Sequence, residues 1–381
     1  MIPLCEARQL DSLLKKEATT DANFIRKLYR GAEVINPAKT FSYGSRLYEL
    51  IWKPLDSLLT KGDKVYYTPS GLLHQIALAA IPFSKDTLLS DRYDLNPLSS
   101  MAGLLKESSF KETKPESMIL FGGIKYDALE KDLTALVKKD TSAQAFVSRS
   151  LSSDLIRGNN WNFLPGTLTE TQFIASIAKT NKIEVRSYYG LTALEETYKK
   201  IGFGKSPQVL HISTHGFFFP DPKINKKDNQ SIREEGAEVF KYSNNPLNRS
   251  GLLFAGANNT WGGNPIPNIE DGILTSYEVS NVALSNTQLV VLSACETGLG
   301  DIKGSEGVYG LQRAFKMAGA EYLMMSLWKV PDAETSEFMI AFYNSWFNGK
   351  SIPLAFNYTQ KLMKKKYPKD PYKWAAFVLV R

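Results

Sequence analysis

Apolar residues recur along this chain in two rhythms, and its second half alternates them. KIEVRSYYG, QVLHISTHG, LVVLSACETG and EYLMMSLWKV are short apolar or β-branched runs that predict strands. LEETYKKIG, SEGVYGLQRAFKMAG and ETSEFMIAFYNSWFNG space their apolar residues at helical intervals. LVVL and YLMM are apolar at every position, which is the pattern of strands covered by helices on both faces. The expectation is therefore an α/β fold with a mostly parallel sheet flanked by helices. A further helix is predicted over TETQFIASIAKT, with Thr167 and Glu170 at capping-box spacing ahead of it.

The first half opens differently. DSLLKK, NFIRKLYR and FSYGSRLYELIWKPLDSLL are spaced as helices, then KVYYTP, Ser70-Gly71 and LLHQIALAAI read as strand, turn and helix. SMILFGGI predicts a strand ending on Gly122 and Gly123. Between about 127 and 165 the chain becomes charged and Ser-rich, so the domain break is expected there. This divides the chain into a helical segment 1–44, an α/β half 45–155 and a second half 156–381. Two compact units also suit 381 residues at roughly 150 per domain. About 70 residues separate His215 from Gln288, far more than the roughly 4–6 of an ordinary connection. The stretch 220–275 is accordingly expected to be a long functional loop.

Composition narrows the class. Hydrophobic residues make up 43% and charged residues 22%, so the chain is expected to fold rather than stay disordered. No apolar run reaches the roughly 18 residues of a membrane span. Glu6 and Arg8 stand where a signal peptide would be apolar, so a cytoplasmic protein without a membrane partner is expected. Two cysteines, Cys5 and Cys295, exclude a multi-disulfide framework and leave a free thiol available. The formal charge of +7 raises the question of nucleic acid, but it is dispersed. Its densest patch, Lys361 to Lys369, reads as a solvated helix end, so direct nucleic-acid binding is not expected.

Scarcity sharpens the chemistry, because the only histidines are His74, His211 and His215. His215, followed by Gly216, closes one predicted strand and Cys295 closes another. In a parallel α/β sheet both would stand at the carboxyl edge, where ligands and catalytic groups gather. An imidazole beside a thiol raises its thiolate fraction and can later protonate a leaving amine. The Gly216 and Cys295 amides could then hold an oxyanion. His211, deeper on its strand, reads as a core histidine, and His74 as support for its turn. An α/β-hydrolase order needs a histidine after the nucleophile, and none follows Cys295. A papain-like order would have to use Cys5, which lacks the local signature. Gly298, Gly300 and Gly304 do not match the dinucleotide spacing, and the GKS triplets at Gly204 and Gly349 lack the earlier P-loop glycine. Without paired ligand spacing no zinc site is expected, and no cofactor is implied.

Several stretches resemble the CHAT family of caspase-like, separase-related domains, often coupled to tetratricopeptide repeats in bacteria. They are YYTPSGLLHQIALAAIPF, LPGTLTETQF, VLHISTHGFF, GLLFAG, DGILTSYEVSNVAL, the run from VVLSACETG to MMSLWKV, and WAAFVLV. The resemblance covers roughly residues 45–381. It implies a caspase-like sheet in which an N-terminal pseudo-protease half, 45–155, supports a catalytic half. It also implies a cysteine endopeptidase with Cys295 as nucleophile and His215 as acid/base. Pro69-Ser70-Gly71 and Val330-Pro331-Asp332 depart from common family motifs without touching that pair. The implied partners are a protein substrate, such as a pore-forming gasdermin-like effector in bacterial defence, and a repeat or sensor module in cis or in trans. Asp301 and Glu306 are candidates for receiving a basic substrate side chain. Lys226, Lys227 and Arg233 are candidates for activation cleavage of the long loop. The rival expectation is a catalytically silent CHAT scaffold for protein–protein interaction.

Overall fold

Val209–Ile212 and Leu289–Leu292 are buried at every position, as strands inside a two-faced α/β layer must be. They belong to a computed structural model that describes residues 4–14, 28–29, 46–84, 87–105, 114–139, 160–219, 243, 245–293, 306–328 and 330–381. The strands in chain order are β1 (Lys64–Tyr67), β2 (Asp94–Pro97), β3 (Ser117–Ile124), β4 (Glu184–Gly190), β5 (Val209–Ile212) and β6 (Gly216–Phe218). After them come β7 (Ser250–Leu253), β8 (Ile273–Thr275), β9 (Leu289–Leu292), β10 (Tyr322–Ser326) and β11 (Phe377–Val380). The helices used below are α1 (Ala7–Leu14), α2 (Glu130–Lys139), α3 (Pro165–Thr180), α4 (Glu195–Lys199) and α5 (Ala257–Trp261). They continue with α6 (Ser276–Ser280), α7 (Glu306–Ala318), α8 (Asp332–Phe347) and α9 (Ile352–Lys366).

The described residues fall into two compact units, one within Met1–Glu112 and Met324–Arg381, the other within Thr113–Gly300 and Glu306–Leu323. In the second unit β9, β5, β3 and β4 lie side by side in that order, every neighbour parallel. The Tyr322 N–H, at the start of β10, donates to the Gln288 carbonyl just ahead of β9. SMILFGGI, expected in the first half, is thus β3, paired with β4 and β5 of this unit. A second, antiparallel sheet runs β6-β7-β8. The expected long loop is therefore folded over 245–275, where β7, α5 and β8 lie. Lys226, Lys227 and Arg233 lie outside the described residues.

The first unit holds the parallel pair β1-β2, α8, α9 and β11. Phe338 of α8 stacks on Phe377 of β11 at 4.3 Å, and Ser99 N–H donates to the Arg381 carbonyl. LLHQIALAAI is not the expected helix but two short 3₁₀ turns, Gly71–Gln75 and Leu78–Ala80. The Tyr29 hydroxyl accepts from the Ala77 N–H between those turns, a bond that a continuous helix would have closed internally.

Candidate active site

The sequence predicts one strand through QVLHISTH, but β5 stops at Ile212 because the chain changes sheets: Ser213, Thr214 and His215 carry it from β5 into β6. Thr214 secures the crossing by donating its hydroxyl to the Leu253 carbonyl. His215 then sits at the corner between two sheets, 2% exposed, its N–H donating to the Tyr126 hydroxyl at 3.2 Å. Its Nε2 lies 2.8 Å from the backbone carbonyl of Asn162. A carbonyl only accepts, so Nε2 carries the proton there and Nδ1 is the basic nitrogen of the neutral ring. The rings of Tyr126 and Trp161 stand 5.0 Å from the imidazole, one each by centroid.

The carbonyl that orients His215 is itself held. Asn258, at the start of α5, accepts from the Trp161 N–H at 2.9 Å and donates to the Trp161 carbonyl at 3.0 Å. The same Nδ2 also reaches Asp127 at 2.7 Å. One buried amide thus clamps both backbone groups of the residue preceding Asn162.

Gly216 pairs with Leu252. Leu253 N–H bonds to the His215 carbonyl and Phe219 N–H to the Arg249 carbonyl, so the hydrogen-bonded pairs fall at 215, 217 and 219. Gly216 therefore occupies a non-hydrogen-bonded pair, and its N–H turns away from β7.

On the neighbouring strand, β9 ends at Leu292, in register with Ile212. Cys295 lies outside the described residues, as does Asp301; Glu306 opens α7, with its side chain undescribed. Ser213 and Ser293, each one residue past the register pair, both donate their hydroxyls to Glu170 Oε2, at 3.0 and 2.9 Å. His211 Nε2 is 3.2 Å from Glu170 Oε1, and His211 is fully buried, as expected of a core histidine. His74 stands in the first unit within its 3₁₀ turn, where burial lowers its pKa.

The capping-box reading of Thr167 and Glu170 is overturned. α3 begins at Pro165, placing both residues inside it. The Thr167 hydroxyl donates to the Leu164 carbonyl and accepts from Gly123 N–H, while Glu170 points into the core. The buried residues of α3 are Thr167, Glu170, Thr171, Ile174, Ala175 and Ala178, a stripe at helical spacing. A carboxylate on that stripe was the sequence signal for Glu170. Tyr126 and Asn258 carried no such signal.

A second acidic group lies between α4, the 270–272 loop and α6. Lys199 Nζ pairs with Glu195 at 2.7 Å, Glu270 at 2.8 Å and Glu278 at 3.0 Å. These three carboxylates are close enough together to hold a metal ion, but the ammonium bonded to all three takes a cation's place. Burial, with the Glu278 charge next, raises the Glu195 carboxyl well above its ordinary value. Burial also pushes Asp271 up to about 7, opposed by the Ile273 N–H it accepts. Burial alone would lower Lys199; Glu195 and Glu278 outweigh it and raise it.

A family model described as CHAT domain matches residues 42–381. Among curated proteins, human tetratricopeptide repeat protein 28 is 34% identical over 115 residues, 30% of this chain and 5% of that protein. The mouse protein of the same name is 33% identical over the same length. The chain thus spans a small fraction of the curated relatives it matches. Among solved structures, the Arg-specific cysteine proteinase gingipain R aligns at TM-score 0.40 and 10% identity, over 76% of this chain and 54% of that one. The Saccharomyces cerevisiae separase–securin complex aligns at TM-score 0.38 and 12% identity, over 81% of this chain and 15% of that one. Among the described residues no helix is long and apolar enough to cross a membrane.

Proposed function

Because the chain belongs to the CHAT domain family, we propose that it is a cysteine endopeptidase in which Cys295 is the nucleophile and His215 the acid/base. One observation carries this reading. Ile212 and Leu292 are register partners at the carboxyl ends of neighbouring parallel strands, and in the sequence His215 and Cys295 each come three residues after that pair. The Asn162 carbonyl supports the same assignment, since it holds the Nε2 proton and leaves Nδ1 as the exchanging nitrogen.

In the proposed reaction the Cys295 Sγ bonds to a peptide carbonyl carbon as its proton passes to His215 Nδ1. The amides of Gly216 and Cys295 hold the oxyanion; the outward-turned N–H of Gly216 suits that task. Collapse breaks the C–N bond, and the imidazolium gives its proton to the leaving amine. Water then cleaves the thioester with His215 taking its proton, which releases the acid and restores the thiol.

The substrate is proposed to be a protein, with Asp301 and Glu306 receiving a basic side chain and a gasdermin-like effector as one candidate. A repeat or sensor module in cis or in trans is proposed from the name of the curated relatives. The test is labelling by a library of cysteine-reactive peptide probes in the parent, Cys295→Ala and His215→Ala. Labelling lost in both variants is the expected result. Absence of labelling in the parent, with candidate sensors added, would instead favour a silent scaffold.

A further inference from the structure

Glu170 is buried, carries a carboxylate and takes no part in the proposed proton transfers. Yet both strands of the dyad converge on it. At Ile212 and Leu292 the parallel register of β5 and β9 ends. One residue farther along each strand, the hydroxyls of Ser213 and Ser293 meet on a single oxygen, Glu170 Oε2. Two residues beyond those serines stand His215 and Cys295. We infer that Glu170 is a positioning residue for this pair: its carboxylate bridges the two strand ends where their register stops, setting the separation of imidazole and thiol.

The physical case rests on three features. A carboxylate oxygen has lone pairs for two donors, and charge-assisted bonds to it are stronger than those between neutral groups. The bond from Ser213 is shielded, with Glu170 3% exposed and Ser213 fully buried, so water competes little for it, while the bond from Ser293 is part-buried. Its backing is also rigid. α3 lies against the end of β3, where Gly123 N–H donates to Thr167 and an added Cβ on Gly122 would stand 2.6 Å from Thr171. The helix that carries Glu170 is thereby fixed to the strand next to β5. A shift of about 1 Å between reacting groups is enough to lower rates by orders of magnitude, so a bridge two residues away bears directly on chemistry.

This inference rests on the peptidase reading, and its test separates the two. Cys5→Ser leaves Cys295 as the sole thiol. In that background, the rate of iodoacetamide alkylation is followed against pH for the parent, His215→Ala, Glu170→Ala, Glu170→Gln and Ser213→Ala/Ser293→Ala. A thiol paired with imidazole titrates below the ordinary value of about 8.5. Glu170→Ala and the double serine variant are expected to move the midpoint toward about 8.5, slowing alkylation at neutral pH by roughly tenfold. Glu170→Gln, which keeps an oxygen for both hydroxyls, should retain the parent profile. A carboxylate serving only to pair buried serines would, once removed, lower the urea midpoint and leave the alkylation profile of the folded protein in place. That result overturns the inference even when His215→Ala shifts the profile. If His215→Ala shifts nothing, the dyad reading fails and takes the positioning role with it. Should Glu170→Ala not fold, the serine variant, which keeps the carboxylate beside His211, decides the matter.

Discussion

Asn258 shows how much of a site can depend on a side chain with no chemical role. Its amide satisfies the N–H and carbonyl of Trp161, and the next residue supplies the carbonyl that holds His215 Nε2. Asn258→Ala leaves those buried backbone groups without these partners, so stability is expected to fall by about 1–3 kcal/mol. Urea unfolding checks this, and an unchanged midpoint would mean that water replaces the amide. His215 was legible in the sequence because histidines are few and this one precedes a glycine after an apolar run. Asn162 was not legible, because it acts through its backbone and any residue could supply the same carbonyl.

Among the elements, α3 and the 270–272 loop are placed by close contacts that periodicity does not encode. α3 approaches β3 at Gly122, where an added Cβ would lie 2.6 Å from the Thr171 side chain and 2.7 Å from the Thr167 carbonyl oxygen. Gly122→Ala is expected to cost about 1–3 kcal/mol through overpacking, read as a lower thermal midpoint. Gly123 adds a backbone requirement, with φ +56 beside Leu168. The 270–272 loop is tied to α4 by Glu196, which accepts from Glu270 N–H, and by Glu195, which accepts from Gly272 N–H. Its pH response follows from Asp271. Folding raises this carboxyl from 3.8 to about 7, so the folded state holds the proton more tightly than the unfolded chain. The associated stability is present in acid and lost as pH rises through about 7. The urea midpoint is expected to fall between about pH 5 and about pH 8, and Asp271→Asn to remove part of that slope. An identical slope in both proteins would show that Asp271 ionises without consequence for folding.

At the scale of the whole molecule, the antiparallel sheet gives the segment 220–242 its significance. It connects β6 and β7, which are partners in that sheet. A cut after Lys226, Lys227 or Arg233, as proposed for activation, would leave both fragments joined through β6-β7 pairing. Intact mass of active protein should then show two chains that co-purify; a fully active uncut chain would remove the proposal. The sequence by itself determined the α/β class, the order of most strands and helices, and the His-Gly and Ser-Ala-Cys motifs. Those depend on local periodicity and on rare residue types, both of which survive in one dimension. Only the tertiary structure decided that β3 lies between β4 and β5, because an apolar run such as SMILF suits any interior strand equally. It also decided that the chain turns out of β5 at Ser213 into a second sheet, and that Glu170 gathers Ser213 and Ser293. These depend on contacts between residues far apart in the chain, whose partners no local pattern specifies.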